Sequence, residues 1–292
     1  MKNIFIYLVL FPLGLLAQQD AYFSLNTYQM NLINPAYAGA DGGQSFLFSS
    51  RNQWSGVSQA PKTMALAYSS ERGKNVGLGL SVISDQIFVE KQALIMIDFS
   101  YRLTLEDESY LFLGLKAGGS SYRTDPSELS AYASEADPTK KALSRFNPNV
   151  GMGFLYRKSN FWLSASIPRL FNTKRDEDIA IQARDRVHIY LAAGTKFAVN
   201  EDVHIQPNFI YRKAEGIKAV TDVGMIGSYR NTFDFGLAFR TGSIVSIQTA
   251  IKLKGIYTVG YAYDSFGANQ FSQLNLNAHQ LFLAIQLPSI GR

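Results

Sequence analysis

The sequence predicts an all-β chain that closes into a transmembrane antiparallel β-barrel of the outer-membrane type, with about fourteen strands. Three observations predict this fold. From about residue 45 onward, apolar residues recur at every second position. The long connections all follow odd-numbered strands, whereas the connections after even-numbered strands up to the twelfth are short. The strand face opposite the large apolar residues consists mostly of Gly, Ala and Ser, which suits the interior of a barrel.

The alternation defines the strands in order. In segment 76–82 Val and Leu alternate with Gly and Ser, and in segment 233–239 Phe and Leu alternate with Asp, Gly and Ala. A strand with one apolar face must have this period of two. We see no helical pattern of comparable strength. The predicted strands lie near residues 45–53, 62–71, 76–84, 92–104, 109–122, 149–158, 160–168, 186–199, 203–213, 217–230, 231–241, 243–253, 256–264 and 275–287.

The connections predict which end of the barrel faces outward. Those after even-numbered predicted strands are tight turns, whereas the long ones, near 123–148, 169–185 and 265–274, follow odd-numbered strands. Outer-membrane barrels have short periplasmic turns and longer extracellular loops. The loop at 123–148 is therefore a candidate contact surface on the cell exterior or a plug of the lumen, and 169–185 is a second candidate of mixed charge.

The second strand face distinguishes a barrel from a soluble β-sandwich. The exposed face of a sandwich should be rich in Lys, Glu and Thr. In this chain the face opposite the large apolar residues instead has small residues and scattered charges of both signs. These charges either line a selective pore or neutralise one another inside the lumen, and we favour neutralisation because lone buried charges are costly. They are Asp98, Arg102, Lys116, Lys196, Arg212, Asp222, Arg230, Asp234, Arg240 and Lys252.

The start of the chain predicts export. Lys2 and the apolar run 4–16 resemble a secretory signal peptide over residues 1–17, cleaved before Gln18. We expect a segment at 18–43 with a periplasmic or plug-like role, followed by the barrel at 44–292. The chain has no Cys, which excludes disulfides and thiolate metal sites. Its net charge of +5 is spread out, so we expect no nucleic-acid partner.

The sequence gives little sign of catalysis. His188, His204 and His279 lie on different predicted strands, and none has metal-ligand spacing to a second ligand. His188 and His204 could meet across neighbouring strands, and His279 shares a strand face with Asn277, a partial set for a barrel hydrolase. We expect no catalytic, cofactor-binding or metal site, no cofactor, and no enzyme activity.

The stretch NLINPAYAGADGG, residues 31–43, predicts a rigid loop before the first strand. Pro35 restricts the backbone, and Tyr37 offers an aromatic anchor. Two interpretations stay open. The segment starts on the periplasmic side and caps or plugs the lumen, or it only fixes the entry of the first strand into the barrel.

These residues carry a family resemblance. NLINPAYAG, RNQWSGVSQAPKT (51–63) and VGLGLSVISDQI (76–87) are similar to the PorP/SprF family, outer-membrane β-barrels associated with the type IX secretion system. NPNVGMGFLYRKSNFWLSASIPRLF (147–171) and HQLFLAIQLP (279–288) resemble its middle and last strands. The likeness covers essentially the whole mature chain.

The resemblance implies a partner protein rather than a reaction. It suggests a non-enzymatic adaptor in the outer membrane of a Gram-negative bacterium that anchors, or assists the export of, a large secreted adhesin through its C-terminal sorting domain. It also implies links to gliding motility and to periplasmic or peptidoglycan-linked secretion components, while the barrel itself implies contact with outer-membrane lipid. The alternative is a passive porin or small-molecule transporter.

The motifs supply candidate partner-binding or structural residues. Trp54 is either a cargo contact or an aromatic anchor at the rim, and Pro61 suits the start of a strand. The full set is Asn34, Pro35, Tyr37, Gly39, Trp54, Pro61 and Lys62.

Overall fold

The computed structural model describes residues 22–54, 57–124, 143–171, 186–267 and 277–289. These residues form fifteen strand segments. They are β1 (Gln44–Gln53), β2 (Lys62–Arg72), β3 (Val76–Ile87), β4 (Glu90–Thr104), β5 (Ser109–Thr124), β6 (Leu143–Lys158), β7 (Phe161–Ile167), β8 (His188–Thr195), β9 (Phe197–Ala198), β10 (Val203–Ala214), β11 (Val220–Tyr229), β12 (Phe233–Arg240), β13 (Ile244–Leu253), β14 (Tyr257–Phe266) and β15 (Ala278–Leu287).

The strands close into an antiparallel barrel of fourteen, as the sequence predicts. Each strand pairs with the next along the chain, and β1 pairs with β15 from Gln44 opposite Leu287 to Gln53 opposite Ala278. The short β9 continues β8, since both pair with β10. Closure leaves no sheet edge to recruit another chain.

The barrel has two distinct ends. At the tight-turn end, short turns connect β2 to β3, β4 to β5, β6 to β7 and the later pairs up to β13 and β14. The long-loop end carries the connections between β5 and β6, β7 and β8, and β14 and β15. Outer-membrane barrels have short turns on the periplasmic side, so we assign the tight-turn end to the periplasm.

The start of β6 differs from the prediction. We expected this strand to begin near residue 149, but it begins at Leu143 and pairs with β5 as far as Thr124. Asn147-Pro148 lies at the end of the predicted loop 123–148. In the fold, β7 pairs with β6 only from Met152 onward, so Pro148 faces no β7 partner that would need its missing N–H.

The two faces of the wall divide as the alternation predicts. Outward positions expose large apolar side chains, among them Leu66, Ile97, Leu115, Phe235 and Leu281. Inward positions bury small, polar and charged residues, including Ala65, Ser100, Asp98, Lys116 and Gln280. Phe and Leu therefore face lipid while the polar residues face the lumen.

The residues before β1 form three short helical pieces. Asn26–Tyr28 and Pro35–Tyr37 are single 3₁₀ turns, and α1 is the four-residue helix Met30–Ile33. Two apolar clusters form around them, one including Leu25, Leu32 and Phe282, the other Ala36, Phe112 and Leu155. None of the helices among the described residues is long and apolar enough to cross a membrane, a finding that concerns helices alone.

Candidate functional site

Residues 22–43, here called the N-terminal segment, contact inward-facing side chains along the barrel. Gly43 lies at the tight-turn end, where its carbonyl accepts a hydrogen bond from the Glu71 N–H at 2.9 Å. Ser24 instead contacts Gln280 and Asp264, which lie near the long-loop ends of β15 and β14. The segment thus runs through the lumen from the long-loop half to the tight-turn end. We expected it to start on the periplasmic side, which is wrong for Tyr22 to Leu25, because polar partners in the wall hold them in the opposite half.

The Asn-Pro pair builds the turn at the centre of the segment. The Asn34 Oδ1 accepts a hydrogen bond from the Ala36 N–H at 2.9 Å, and Pro35 begins the 3₁₀ turn with its φ already restricted. The Asn34 Nδ2 donates to the carbonyls of Phe154 at 3.1 Å and Ala165 at 3.4 Å. One side chain therefore caps the turn and attaches it to β6 and β7.

Three inward glycines of the wall make room for this turn. A Cβ at Gly114 would lie 2.2 Å from the Ala36 nitrogen, and one at Gly77 would lie 1.9 Å from the Ala38 oxygen. A Cβ at Gly153 would lie 2.2 Å from the Asn34 Oδ1. Real Cβ atoms do not approach so closely, so the turn fits only against a wall that lacks side chains here.

The last part of the motif continues this close contact. The Ser100 hydroxyl donates to the Ala38 carbonyl at 2.5 Å, and the Gly39 N–H donates to the Ser69 Oγ at 2.7 Å. Gly39 has φ +68, in the left-handed region that favours glycine. Both contacts hold the segment to β2 and β4.

Tyr37 packs between a cation and an aromatic ring. Its ring lies edge-on to Trp162, with centroids 6.3 Å apart, and the Arg157 Cζ lies 5.5 Å from its centroid. Arg157 also pairs with Asp41 at 2.8 Å and donates to the Ala40 carbonyl at 2.9 Å. The tyrosine therefore has the packing of an anchor, with contacts to both the wall and its own segment.

A buried charged network holds the other end of the segment. Arg51 and Asp264, which are 1% and 0% exposed, pair at 2.6 Å. The Ser24 hydroxyl accepts from the Arg51 Nη1 and donates to the Asp264 Oδ2, both at 2.6 Å. Ser24, a residue of the N-terminal segment, therefore bonds both members of a buried ion pair.

Tyr22 lies in a group of three arginines next to this network. The Cζ atoms of Arg240, Arg212 and Arg51 lie 3.3, 5.2 and 5.8 Å from its ring centroid. Arg240 also pairs with Asp222 at 2.7 Å. Cations over an aromatic face are attracted to it, the more so when water is excluded.

Tyr28, which lies between Ser24 and Asn34 in the segment, contacts β12. Its hydroxyl donates to the Asp234 Oδ2 at 2.6 Å, and Lys252 lies 2.9 Å from the same carboxylate. The phenol therefore donates to a carboxylate that a lysine also neutralises.

Four pairs of inward charges have the mutual arrangement that we favoured over a pore lining, whereas Arg212 and Lys196 form no ion pair within the described residues. Asp98 and Lys116 are register partners 2.7 Å apart, and both side chains are almost fully buried. Together with Arg51–Asp264, Arg240–Asp222 and Lys252–Asp234, they place opposite charges side by side in the lumen. Arg230 differs, since it pairs with Asp202 at the exposed tight-turn end.

A cavity of about 480 Å³ lies beneath the segment at the tight-turn end. Its lining is rich in amides and hydroxyls and includes Tyr28, Asn31, Asn160, Gln206 and Gln286. Asp41 and Arg157 also reach it. We name this cavity the vestibule.

The remaining candidate residues lie at the long-loop end. Trp54 follows β1 with φ 54, and its N–H donates to the Asn277 carbonyl at 2.7 Å. Pro61 directly precedes β2, and its carbonyl accepts from the Gln53 N–H at 3.0 Å. Lys62 is the first residue of β2 and is exposed. The structure does not bring these three residues to the Asn34 turn.

Several predictions fall on residues outside the described ranges. Residues 1–17 and most of the predicted loops at 123–148, 169–185 and 265–274 are among them. The cleaved signal and the loop contact surfaces therefore stay predictions.

The histidines do not come together. His188 opens β8 opposite Ala214, whereas His204 pairs with Ala198 at the other end of β10. The Nδ1 of His279 lies 2.7 Å from the Tyr261 hydroxyl, with both residues at outward positions. Within the described ranges, no group of three His, Asp or Glu side chains is placed to hold a metal ion.

From the sequence we did not identify the wall residues that contact the N-terminal segment. Arg51, Asp264 and Trp162 showed no spacing that relates them to Asn34 or Tyr37. Gly77, Gly114 and Gly153 did carry a signal, because glycine within a strand often marks the close approach of another backbone. We interpreted these glycines only as small residues of the lumen face.

Solved structures similar to this chain are membrane barrels. The outer membrane protein Omp33 of Acinetobacter baumannii has a TM-score of 0.51 and 8% identity, over 84% of this chain and 98% of its own. The CymD monoaromatic hydrocarbon channel has a TM-score of 0.52 and 11% identity, over 94% and 96%. A TodX variant, also a monoaromatic hydrocarbon channel, has a TM-score of 0.50 and 8% identity, over 86% and 92%. At such identities the likeness supports the fold alone.

Comparison by sequence identifies the family. No curated protein matches the chain. The family model described as type IX secretion system membrane protein PorP/SprF matches residues 15–285, which include every strand except the last two residues of β15. The chain therefore belongs to the PorP/SprF family of outer-membrane β-barrels associated with type IX secretion.

Proposed function

We propose that this protein is a non-enzymatic adaptor that holds a large secreted surface protein at the outer membrane, or assists its export, through that protein's C-terminal sorting domain. Membership of a family associated with type IX secretion supports a role beside the secretion machine. The barrel would supply the membrane anchor, so that the cargo needs no membrane segment of its own.

One observation carries this proposal over the porin alternative. The N-terminal segment crosses the lumen and is attached near its start, by Ser24 to Arg51 and Asp264, at its centre, by Asn34 to β6 and β7, and at its end, by Gly43 to β2. Most of the charges around it are paired, as Arg51–Asp264, Asp98–Lys116 and Arg240–Asp222, and Arg212 stacks on the Tyr22 ring of the segment. An interior with a filled centre and neutralised charges suits an anchor better than a permeation path, which needs open space and charges free to meet solutes.

The two ends of the barrel suggest different partners. We propose that the long-loop end, with Trp54 at its rim, meets the exported protein. The vestibule and the exposed Asp41 lie at the tight-turn end, where periplasmic or peptidoglycan-linked components would approach. Asn34, Pro35, Tyr37 and Gly39 would then act as structural residues that hold the segment between the two surfaces.

Deletion of the gene tests the proposal. We expect the surface level of one large type IX cargo to fall, and complementation with the intact gene to restore it. If the surface levels of all type IX cargo proteins stayed unchanged, the adaptor proposal would be wrong. A fall in every cargo would indicate a part of the secretion machine rather than a dedicated partner.

The porin alternative predicts a different measurement. A passive porin reconstituted in a planar bilayer should give steady ion conductance, whereas a barrel filled by its N-terminal segment should give almost none. Removal of residues 22–43 should open the barrel. Steady conductance by the intact protein would favour the porin.

A further inference from the structure

Three cations lie in one row on the outer surface of the barrel, near the long-loop end. Lys62 on β2 is the register partner of Gln86, Gln86 of Lys91, and Lys91 of Arg123 on β5. All four residues are exposed and occupy outward positions. Because neighbouring strands lie about 4.8 Å apart, Lys91 stands next to Arg123, and Lys62 stands about 10 Å from Lys91. We call these four residues the rim patch.

The rim patch has no matching negative charge in the wall. The outward positions one step closer to the membrane centre are Met64, Ser84, Ala93 and Ser121, none of them acidic. Nearby Asp85 lies on the inward face, where it accepts a hydrogen bond from Thr63 at 2.5 Å. Within the described residues, none of the three cations forms an ion pair. Among the outward-facing residues that the structure describes, the patch therefore presents three cations without an ion-pair partner.

An apolar groove lies on the same face below the patch. It has a volume of about 280 Å³, and Phe48, Leu66, Leu80, Val82, Leu283 and Ile285 are among the residues that line it. Leu66 follows Lys62 by four residues, or about 13 Å along the strand. The groove spans β15, β1, β2 and β3, so Lys62 stands above it on β2, while Lys91 and Arg123 stand on the two strands that follow β3. A cationic patch beside and above an apolar groove matches a molecule with an anionic head and a hydrocarbon tail.

We propose that the rim patch binds the phosphate groups of a phosphorylated glycolipid in the membrane leaflet at the long-loop end, with an acyl chain in the groove. Arg123 presents a planar fork of donors suited to phosphate oxygens, and Lys91 beside it adds a point charge. Lys62, across Gln86, is far enough away to meet a second phosphate. Clusters of Lys and Arg at a membrane surface are a recognised means of binding lipid headgroups.

The distribution of charge around the barrel supports a specific site rather than a ring of positive charge around the whole long-loop end. On β11 to β15, the outward residues near the long-loop end are uncharged, among them Thr221, Val245, Ser265 and Tyr263. Lys213 on β10 is exposed and outward, but it stands apart from the patch, and its Nζ donates to the Ile217 carbonyl at 2.8 Å. The three cations of the rim patch are thus concentrated on the four adjacent strands β2 to β5.

Native mass spectrometry of the purified full-length protein tests the site. The probe is bisphosphorylated lipid A, titrated against the wild-type protein, the double variant K91Q/R123Q and the single variant K62Q. We expect one lipid to bind the wild type and the double variant to bind about tenfold more weakly. We expect K62Q to lose less affinity, and the matched control K213Q to bind like the wild type. Retention of the folded, heat-modifiable form on gels shows that each variant still folds.

Two further binding experiments test whether the phosphate groups of the lipid are what the site recognises. Chemically dephosphorylated lipid A should bind the wild type as weakly as bisphosphorylated lipid A binds the double variant, and millimolar inorganic phosphate should not displace the bound lipid. Equal binding of phosphorylated lipid by the wild type and K91Q/R123Q would overturn the proposal. So would equal binding of the dephosphorylated lipid, or displacement by inorganic phosphate, which would indicate a site for free phosphate.

Discussion

At the scale of single residues, the fit of the N-terminal segment depends on positions where the wall has no side chain. Gly77, Gly114 and Gly153 face the turn at Asn34 to Ala38, and an added methyl group at any of them would meet atoms of that turn. Asn34 and Ser100 then supply the hydrogen bonds. Small residues and single polar atoms therefore decide where the segment lies.

The variant Gly114→Ala should dislodge the turn. The new Cβ would lie 2.2 Å from the Ala36 nitrogen and 2.5 Å from the Pro35 carbonyl carbon, and backbone atoms cannot rotate away as a side chain can. We expect a loss of about 1–3 kcal/mol in the free energy of unfolding and faster proteolysis of residues 22–43. Gly227→Ala is the control, since its nearest neighbour would be 3.8 Å away. Equal protease resistance in both variants would contradict this fit.

The variant Asp264→Asn tests the buried charge network. It leaves Arg51, 1% exposed, without its counter-ion. Loss of one partner of a buried pair is strongly destabilising, so we expect about 3 kcal/mol less stability in urea unfolding from lipid vesicles. Asp202→Asn removes the partner of exposed Arg230 and should cost less than about 1 kcal/mol. Similar losses in the two variants would show that the lumen pair is well hydrated.

At the scale of elements, the N-terminal segment packs inside the barrel as an additional layer. Its contacts extend from β15 and β14, through Ser24, to β6 and β7, through Asn34. Short helical pieces rather than strands form it, so its backbone relies on capping side chains and on polar atoms of the wall. Its position is therefore fixed by tertiary contacts.

An engineered disulfide should lock the segment to the wall. A Cβ at Gly79 would lie 3.3 Å from the Ala38 Cβ, close to the spacing of about 3.8 Å in natural disulfides. The chain has no other Cys, so A38C/G79C can form only one intramolecular bond. We expect almost complete cross-linking after mild oxidation, measured by intact mass after thiol blocking. The pair A38C/G227C, with its second Cys on the outward face of β11, should stay reduced. Failure of A38C/G79C to cross-link in the folded protein would place the segment elsewhere.

The strands and the segment differ in how far the sequence predicts them. The strands follow from side-chain alternation, because a closed wall between lipid and lumen imposes the same period on each of them. The largest error is the start of β6, which lies at Leu143 rather than near residue 149. The path of the segment has no such local signal. Tyr22, Ser24 and Tyr28 owe their positions to Arg240, Asp264 and Asp234, more than 200 residues away in the chain. Only the Asn34 turn, with its Pro and Gly, could be recognised from the sequence itself.

At the scale of the whole molecule, the barrel combines a lipid-facing apolar wall with an interior occupied by its own chain. β1 and β15 close the wall, and Gln280 and Gln286 on β15 also bond the N-terminal segment, so the closing strand contributes to both. Such a molecule presents two surfaces, one at each end, on a rigid membrane anchor. This arrangement suits a docking role in type IX secretion.

The measurement that most directly tests this role is gentle detergent extraction of the tagged protein from its own membrane, followed by mass spectrometry of the proteins that accompany it. We expect recovery of a large secreted protein, with peptides from its C-terminal domain and no enrichment from a control barrel carrying the same tag. Recovery of the barrel alone, together with steady conductance of the intact protein in a planar bilayer, would contradict the adaptor role and favour a porin.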